Sequence, residues 1–187
     1  PSPGHLHADG KNRARSKEVS LRAPSLAAIL RRFDGDNDDI RKLPTKVAIQ
    51  LNETHPEMAG PELVRILHDE RCLDFDEAET IARACLSYTN HTLLPEALES
   101  WSEGLMGYLL PRHLQIIDRI DHRHARANPS RRTSSRQHGQ AQMGMVSFMM
   151  AHRVNGVSAL HTELMNSPVF RELEGRHHDR NGHPTCF

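Results

Sequence analysis

Three short stretches carry side chains able to hold a polar ligand. Asn52-Glu53-Thr54-His55-Pro56 places a carboxylate and an imidazole two residues apart, directly after an alternating apolar run. At such a place the pair can offer a charge and a hydrogen-bonding ring to a ligand, or can cap the following helix and bind loop backbone. Tyr88-Thr89-Asn90-His91-Thr92 offers a hydroxyl, an amide, an imidazole and a second hydroxyl in succession, with no net charge. Groups of this kind bind neutral polyhydroxyl ligands through directional bonds. Asn90 and Thr92 can equally close Asx-type turns that leave His91 exposed. In His152-Arg153-Val154-Asn155-Gly156-Val157, Gly156 permits close backbone approach and the amides opening the next helix are donors.

Other polar groups read as structural. Arg112 and His113 fall on the outer face of an amphipathic helix, where charge is ordinary. Trp101 could stack on a sugar ring, but packing is its ordinary role. The run from Asp34 to Asp39 has its glycine too early for a calcium loop and no bidentate Glu in register, so it reads as a solvated turn. The chain has 14 histidines, but the adjacent His177 and His178 cannot readily share one tetrahedral zinc with His183 and Cys186, and no metal site is expected. The three cysteines, Cys72, Cys85 and Cys186, show no CxxC spacing; a reducing, cytoplasmic setting is the default.

The elements that must position these residues are those of a helix-rich α/β domain. Ser25 can cap a short helix whose Leu26, Ile29, Leu30 and Phe33 share a face. Residues 46–51 alternate as a strand, Pro61 opens a helix reaching about Arg71, and together they form one α/β unit. Ligands in open parallel sheets bind outside the carboxyl ends of strands, where Asn52 to Pro56 would lie. Asp74 or Asp76 can cap a helix striped by Ala78, Ile81, Ala82, Cys85 and Leu86. Tyr88 to Leu94 reads as a loop. Ser102 can cap a helix carrying Leu105, Met106, Leu109 and Leu110 inward, and Pro111 opens a longer one carrying Leu114, Ile117 and Ile120. Met145 to Met149 reads as a buried strand, followed by a helix bearing Val154, Val157, Leu160 and Leu164. By this division residues 1–20 are disordered, 21–124 form the main α/β part, 125–142 a flexible linker, 143–174 a strand-turn-helix, and 175–187 an unstructured tail.

Bulk composition bounds the function. At 187 residues one core is the ceiling, and with 37% hydrophobic and only 4% aromatic residues that core is thin. Lys+Arg and Asp+Glu number 24 each, so no global field draws the chain to nucleic acid or an anionic membrane. No apolar run reaches the ~18 residues of a membrane span.

Four blocks resemble the α-glucan phosphorylases, the glycogen, starch and maltodextrin enzymes. They are Lys46 to Leu63, Tyr88 to Trp101, Leu109 to Ile117 and His152 to Met165, within a likeness extending over about residues 17–174. Glu53 stands where that family has Asp, and Met150-Ala151 stand where it has Gly-Ser. The resemblance implies an incomplete part of a doubly wound, glycosyltransferase B-like domain, the later portion of the enzyme's N-terminal domain. It implies that His91, with Thr92, faces the glucosyl unit, that Glu53 and His55 line acceptor-chain subsites, and that Asn155, Gly156 and Val157 lie beside the glucose. The implied reaction is phosphorolysis of α-1,4-glucan by inorganic phosphate to glucose 1-phosphate, in a cytoplasmic, usually homodimeric enzyme that carries pyridoxal 5'-phosphate on a lysine.

That lysine and the phosphate-binding cluster match no residue here, so no catalytic or cofactor-binding residue is expected and the isolated chain is expected to be inactive. The first residue is not Met, and the sequence leaves the family pattern near Gly175. Both read as a piece of a longer enzyme, the latter through a frame change. The alternative is a non-catalytic glucan-binding or helical interaction module.

Overall fold

The computed structural model describes residues 24–52, 58–92, 99–127 and 134–165, and Glu53, His55 and the expected disordered ends lie outside them. Residues 24–36 form the first helix, α1, which buries Leu26, Leu30 and Phe33. A 3-10 turn, Ile40–Thr45, follows; Asp39 caps it by accepting from Arg41 N at 3.0 Å. Strand β1, Ile49–Asn52, covers the second half of the expected strand and starts three residues later than Lys46, with Leu51 fully buried and Gln50 and Asn52 outward. Helix α2, Ala59–Arg65, begins two residues before Pro61 and widens into a π-turn, Ile66–Glu70.

Helix α3, Phe75–Cys85, is capped by Asp74, whose carboxylate accepts from Asp76 N. Its Ala78, Ile81, Ala82 and Cys85 are buried as the stripe requires, and burial pushes the Cys85 thiol up to about 12. The chain then enters strand β2, Leu86–Asn90, without a loop. Tyr88 to Asn90, expected in a loop over Tyr88 to Leu94, are therefore strand. This is the central strand of a parallel sheet ordered β1-β2-β6, where β6 is Arg153–Gly156. Its backbone is paired on both sides, which no local periodicity records.

Between β2 and β6 lie strand β3, Ser100–Ser102; helix α4, Glu103–Leu109; helix α5, Pro111–Ala127; strands β4, Arg136–Gln137, and β5, Gln140–Gln142; and helix α6, Met143–Met150. Ser102 caps α4 as expected, but of the four leucine and methionine positions proposed to point inward only Met106 is fully buried. Pro111 opens α5, with Ile117 and Ile120 inside.

Helix α6 corrects the strand reading of Met145 to Met149. A short apolar run is the same on paper in either state; here it is apolar all round and enclosed by α2, α3, α5 and β2, which suits a buried helix. Met150 fits where it does because Gly60 lies opposite: a Cβ on Gly60 would come within 3.1 Å of the Met150 Cβ. Val154 falls in β6 rather than in a helix, and α7 begins later, at Ala159–Met165.

The composition of residues 125–142 predicts a flexible linker. Instead 125–127 finish α5, and 134–142 contain a hairpin forming the antiparallel sheet β3-β5-β4. His138 and Gly139, with φ of 53° and 71°, supply the two left-handed residues of a tight hairpin turn. Polar bonds hold the segment, so its few apolar residues give no sign of order. Asp121 accepts from Ser134 Oγ at 2.7 Å and Ser135 N at 3.0 Å, while Arg136 pairs with Glu103 at 2.6 Å and with Asp118. Among the described residues no helix is long and apolar enough to cross a membrane.

Cys72, exposed and at φ 57°, closes the π-turn in the left-handed region. Cys72→Gly removes that strain and should raise stability by about 0.5–1 kcal/mol after the entropy cost of glycine. Urea unfolding checks this, and a lowered midpoint would refute it.

Candidate functional site

Parallel pairing brings three strand ends to one edge. Asn52 pairs across from Thr89, Thr89 from Asn155 and Asn90 from Gly156, so the polar residues that close β1, β2 and β6 converge. This is the carboxyl edge, where open α/β sheets bind ligands.

One row crosses a face of the sheet. Gln50 Nε2 donates to Thr89 Oγ1 at 2.8 Å, Thr89 Oγ1 donates to Asn155 Oδ1 at 3.1 Å, and Asn155 Nδ2 donates to the Gly156 carbonyl at 2.9 Å. A second set lies at the edge. His91, exposed, places Nε2 2.5 Å from Asn52 Oδ1, which ties it to β1. Asn90 is fully buried, donates to the Tyr88 hydroxyl at 3.0 Å, and accepts from Thr92 N at 3.0 Å. The Asx-type turn is thus present. His161 Nε2 also reaches Asn90 Oδ1, at 2.9 Å. Burial, and after it the charge on nearby His91, holds the His161 imidazole below its ordinary value, which favours the neutral ring at neutral pH.

Gly156 is the pivot of the third stretch. Its N–H donates to Thr162 Oγ1 at 3.0 Å, and a Cβ there would meet the His161 Cδ2 at 2.6 Å and Thr162 N at 2.7 Å. Val157 follows it, about half exposed, at the rim.

Of the sequence-expected site residues, the structure gathers His91, Thr92, Asn155, Gly156 and Val157 at this edge, while Glu53 and His55 lie outside the described residues. Sequence reasoning missed Asn52 and undervalued Asn90 and His161. The available signal was position: Asn52 and Asn90 are the last residues of parallel strands. Arg112 and His113 both prove structural, but only Arg112 lies on the outer face, pairing with Asp69 at 2.8 Å; His113 is buried instead, 2.7 Å from buried Glu62. Trp101 is buried and donates to Glu99 at 2.8 Å. Chemically, the gathered amides, imidazoles and hydroxyls can bind and orient a hydroxyl-rich ligand through neutral bonds.

Fold and edge together define an α/β protein whose parallel sheet gathers neutral, hydrogen-bonding side chains at its carboxyl edge. A sequence profile described as carbohydrate phosphorylase matches residues 3–182, and the chain belongs to that family. It is 40% identical over 191 residues to the muscle form of glycogen phosphorylase of Rattus norvegicus, and 36% identical over 188 residues to the cytosolic alpha-glucan phosphorylase 2 of Arabidopsis thaliana. Each match covers 91% of this chain but only 23% and 22% of the relative. The brain form of glycogen phosphorylase of Homo sapiens is 40% identical over 185 residues, covering 88% of this chain and 22% of that protein.

Pyridoxal phosphate, the cofactor implied by the family, asks for an enclosed lysine. The two lysines among the described residues, Lys42 and Lys46, are exposed and precede β1, at the opposite end of the strand from the ligand edge. The described residues do not fit the group.

Proposed function

We propose that this chain supplies the sugar-binding wall of an α-glucan phosphorylase. The intact enzyme would cleave the terminal α-1,4-linked glucose: a phosphate oxygen bonds to the anomeric carbon, the glycosidic C–O bond breaks, and the departing oxygen takes a proton. The supporting observation is the convergence of Asn52, His91, Asn155 and Gly156 at one carboxyl edge, within a segment that matches phosphorylases along most of its length. In this reading His91 and Thr92 face the glucosyl unit with Asn155, Gly156 and Val157, and Glu53 and His55 extend the wall toward the acceptor chain.

Binding and orientation are the work of these groups; the family resemblance places proton transfer on the cofactor and phosphate capture on a separate cluster, neither of which matches a residue here. The 187-residue chain by itself therefore releases no glucose 1-phosphate from glycogen and phosphate. Production above a heat-killed control would sink that part.

The sugar reading is tested by affinity electrophoresis on glycogen and by titration with maltoheptaose. Losing an oriented hydrogen bond costs about 1–1.5 kcal/mol, so His91→Ala should weaken binding roughly tenfold. Equal retention of wild type and variant would support the interaction-module alternative instead.

A further inference from the structure

We propose that the buried side-chain amide of Asn90 is a positioning residue that sets both walls of the candidate sugar site at once. Its consequence for binding rests on the sugar reading above, whereas its geometry does not.

Asn90 ends the central strand with no exposed surface, and three of the four bonds its side-chain amide can make are used structurally. Oδ1 accepts from Thr92 N at 3.0 Å and from His161 Nε2 at 2.9 Å, while Nδ2 donates to the hydroxyl of the equally buried Tyr88 at 3.0 Å. A backbone N–H can only donate, so the atom facing Thr92 must be the amide oxygen. It follows that His161 Nε2 carries a hydrogen. One oxygen therefore ties down the backbone just after His91, on one side, and the first turns of α7, on the other.

The remaining bonds complete the frame. His91 is held to β1 by Asn52, and α7 is held to β6 by the Thr162 hydroxyl on Gly156 N. His161 lies 71 residues from Asn90 in sequence, so the bond closes a long loop onto the sheet. Sites that bind directional ligands need their groups held to within about 0.5 Å, and a buried amide with three satisfied bonds meets that need.

The test uses the full chain. Long-range imidazole proton–nitrogen spectra should show His161 as the Nε2–H tautomer, and Asn90→Leu should move both that signal and the Thr92 amide. Asn90→Asp keeps both acceptor bonds, with the Tyr88 hydroxyl turning to donate, and its carboxylate should lift the His161 titration above its wild-type value. Maltoheptaose binding should weaken about tenfold or more in Asn90→Leu and His161→Ala, and stay within about threefold in Asn90→Asp and His161→Gln. A side chain that served only stability would give no such rescue. Should Asn90→Leu fail to fold, the His161 pair carries the comparison.

An Nδ1–H tautomer at His161, an unmoved Thr92 amide, or, where wild type binds maltoheptaose, equal binding by the Leu and Asp variants overturns the proposal. If wild type shows the expected tautomer and amide response but binds no maltoheptaose, the latch stands and the sugar reading fails.

Discussion

Gly156→Ala is expected to destabilise the chain by about 3 kcal/mol and to abolish measurable maltoheptaose binding. A Cβ at Gly156 would lie 2.6 Å from His161 Cδ2, 2.7 Å from Thr162 N and 2.9 Å from the His161 carbonyl carbon. The imidazole could swing aside, but the two backbone atoms move only if α7 moves. Overpacking of this kind costs roughly 1–3 kcal/mol, and lifting α7 also strips the buried Gly156 N–H of its Thr162 acceptor, for about 1–3 kcal/mol more. The same displacement pulls His161 from Asn90, so the ligand edge opens together with the fold. Urea midpoints at constant slope measure the first effect. Gly35→Ala is the control: nothing lies within 4 Å of its would-be Cβ, and α1 should gain up to about 1 kcal/mol from the better helix former. Equal midpoints for the two variants would show that Gly156 has room.

The second large effect is acid lability centred on Glu62. This α2 carboxylate is only 2% exposed. Burial pushes it up, but bonds from Arg65 at 2.8 and 2.9 Å and from His113 at 2.7 Å outweigh that and hold it at about 2, against an ordinary 4.5. A depressed carboxyl stabilises the fold fully above its unfolded value, and the contribution disappears as pH falls from about 4.5 through about 2. The shift corresponds to about 3 kcal/mol. Arg65 also bonds Glu70 at 2.7 Å, so α2 and its π-turn loosen together with the α2–α5 contact when Glu62 protonates.

Glu62→Gln should cost about 3 kcal/mol at neutral pH, where it leaves buried donors without their charge partner, and about nothing near pH 2. Chemical denaturation of both proteins across pH 2–7 gives the comparison. The difference between them is the quantity to read, because Glu79, pushed up by burial against the pull of Arg123, bends the wild-type curve in the opposite sense. A difference that does not shrink in acid would exclude Glu62 as the titrating group.

Parts of the ligand edge were legible and parts were not, for a common reason. His91, Thr92, Asn155, Gly156 and Val157 were named because their types suit a sugar and their surroundings resemble a family. Asn52 escaped and His161 was undervalued because their meaning lies in partners 39 and 71 residues away. His161 in particular is indistinguishable on paper from any helix-surface histidine.

The sequence by itself determined what depends on near neighbours. The Asp74 and Ser102 caps, the proline that opens α5, the apolar stripe of α3 and the alternation of β1 are all set within a few residues, and so is the family likeness of the blocks. Tertiary structure decided the rest. Leu86–Asn90 is a strand because β1 and β6 pair with it on both sides, and Met143–Met150 is a helix because packed elements enclose its whole circumference. The 134–142 hairpin holds because Asp118, Asp121 and Glu103 wait on α4 and α5. Backbone pairing, enclosure and ion pairing between distant segments leave no period in the chain, so only the folded arrangement shows where the amides and imidazoles meet.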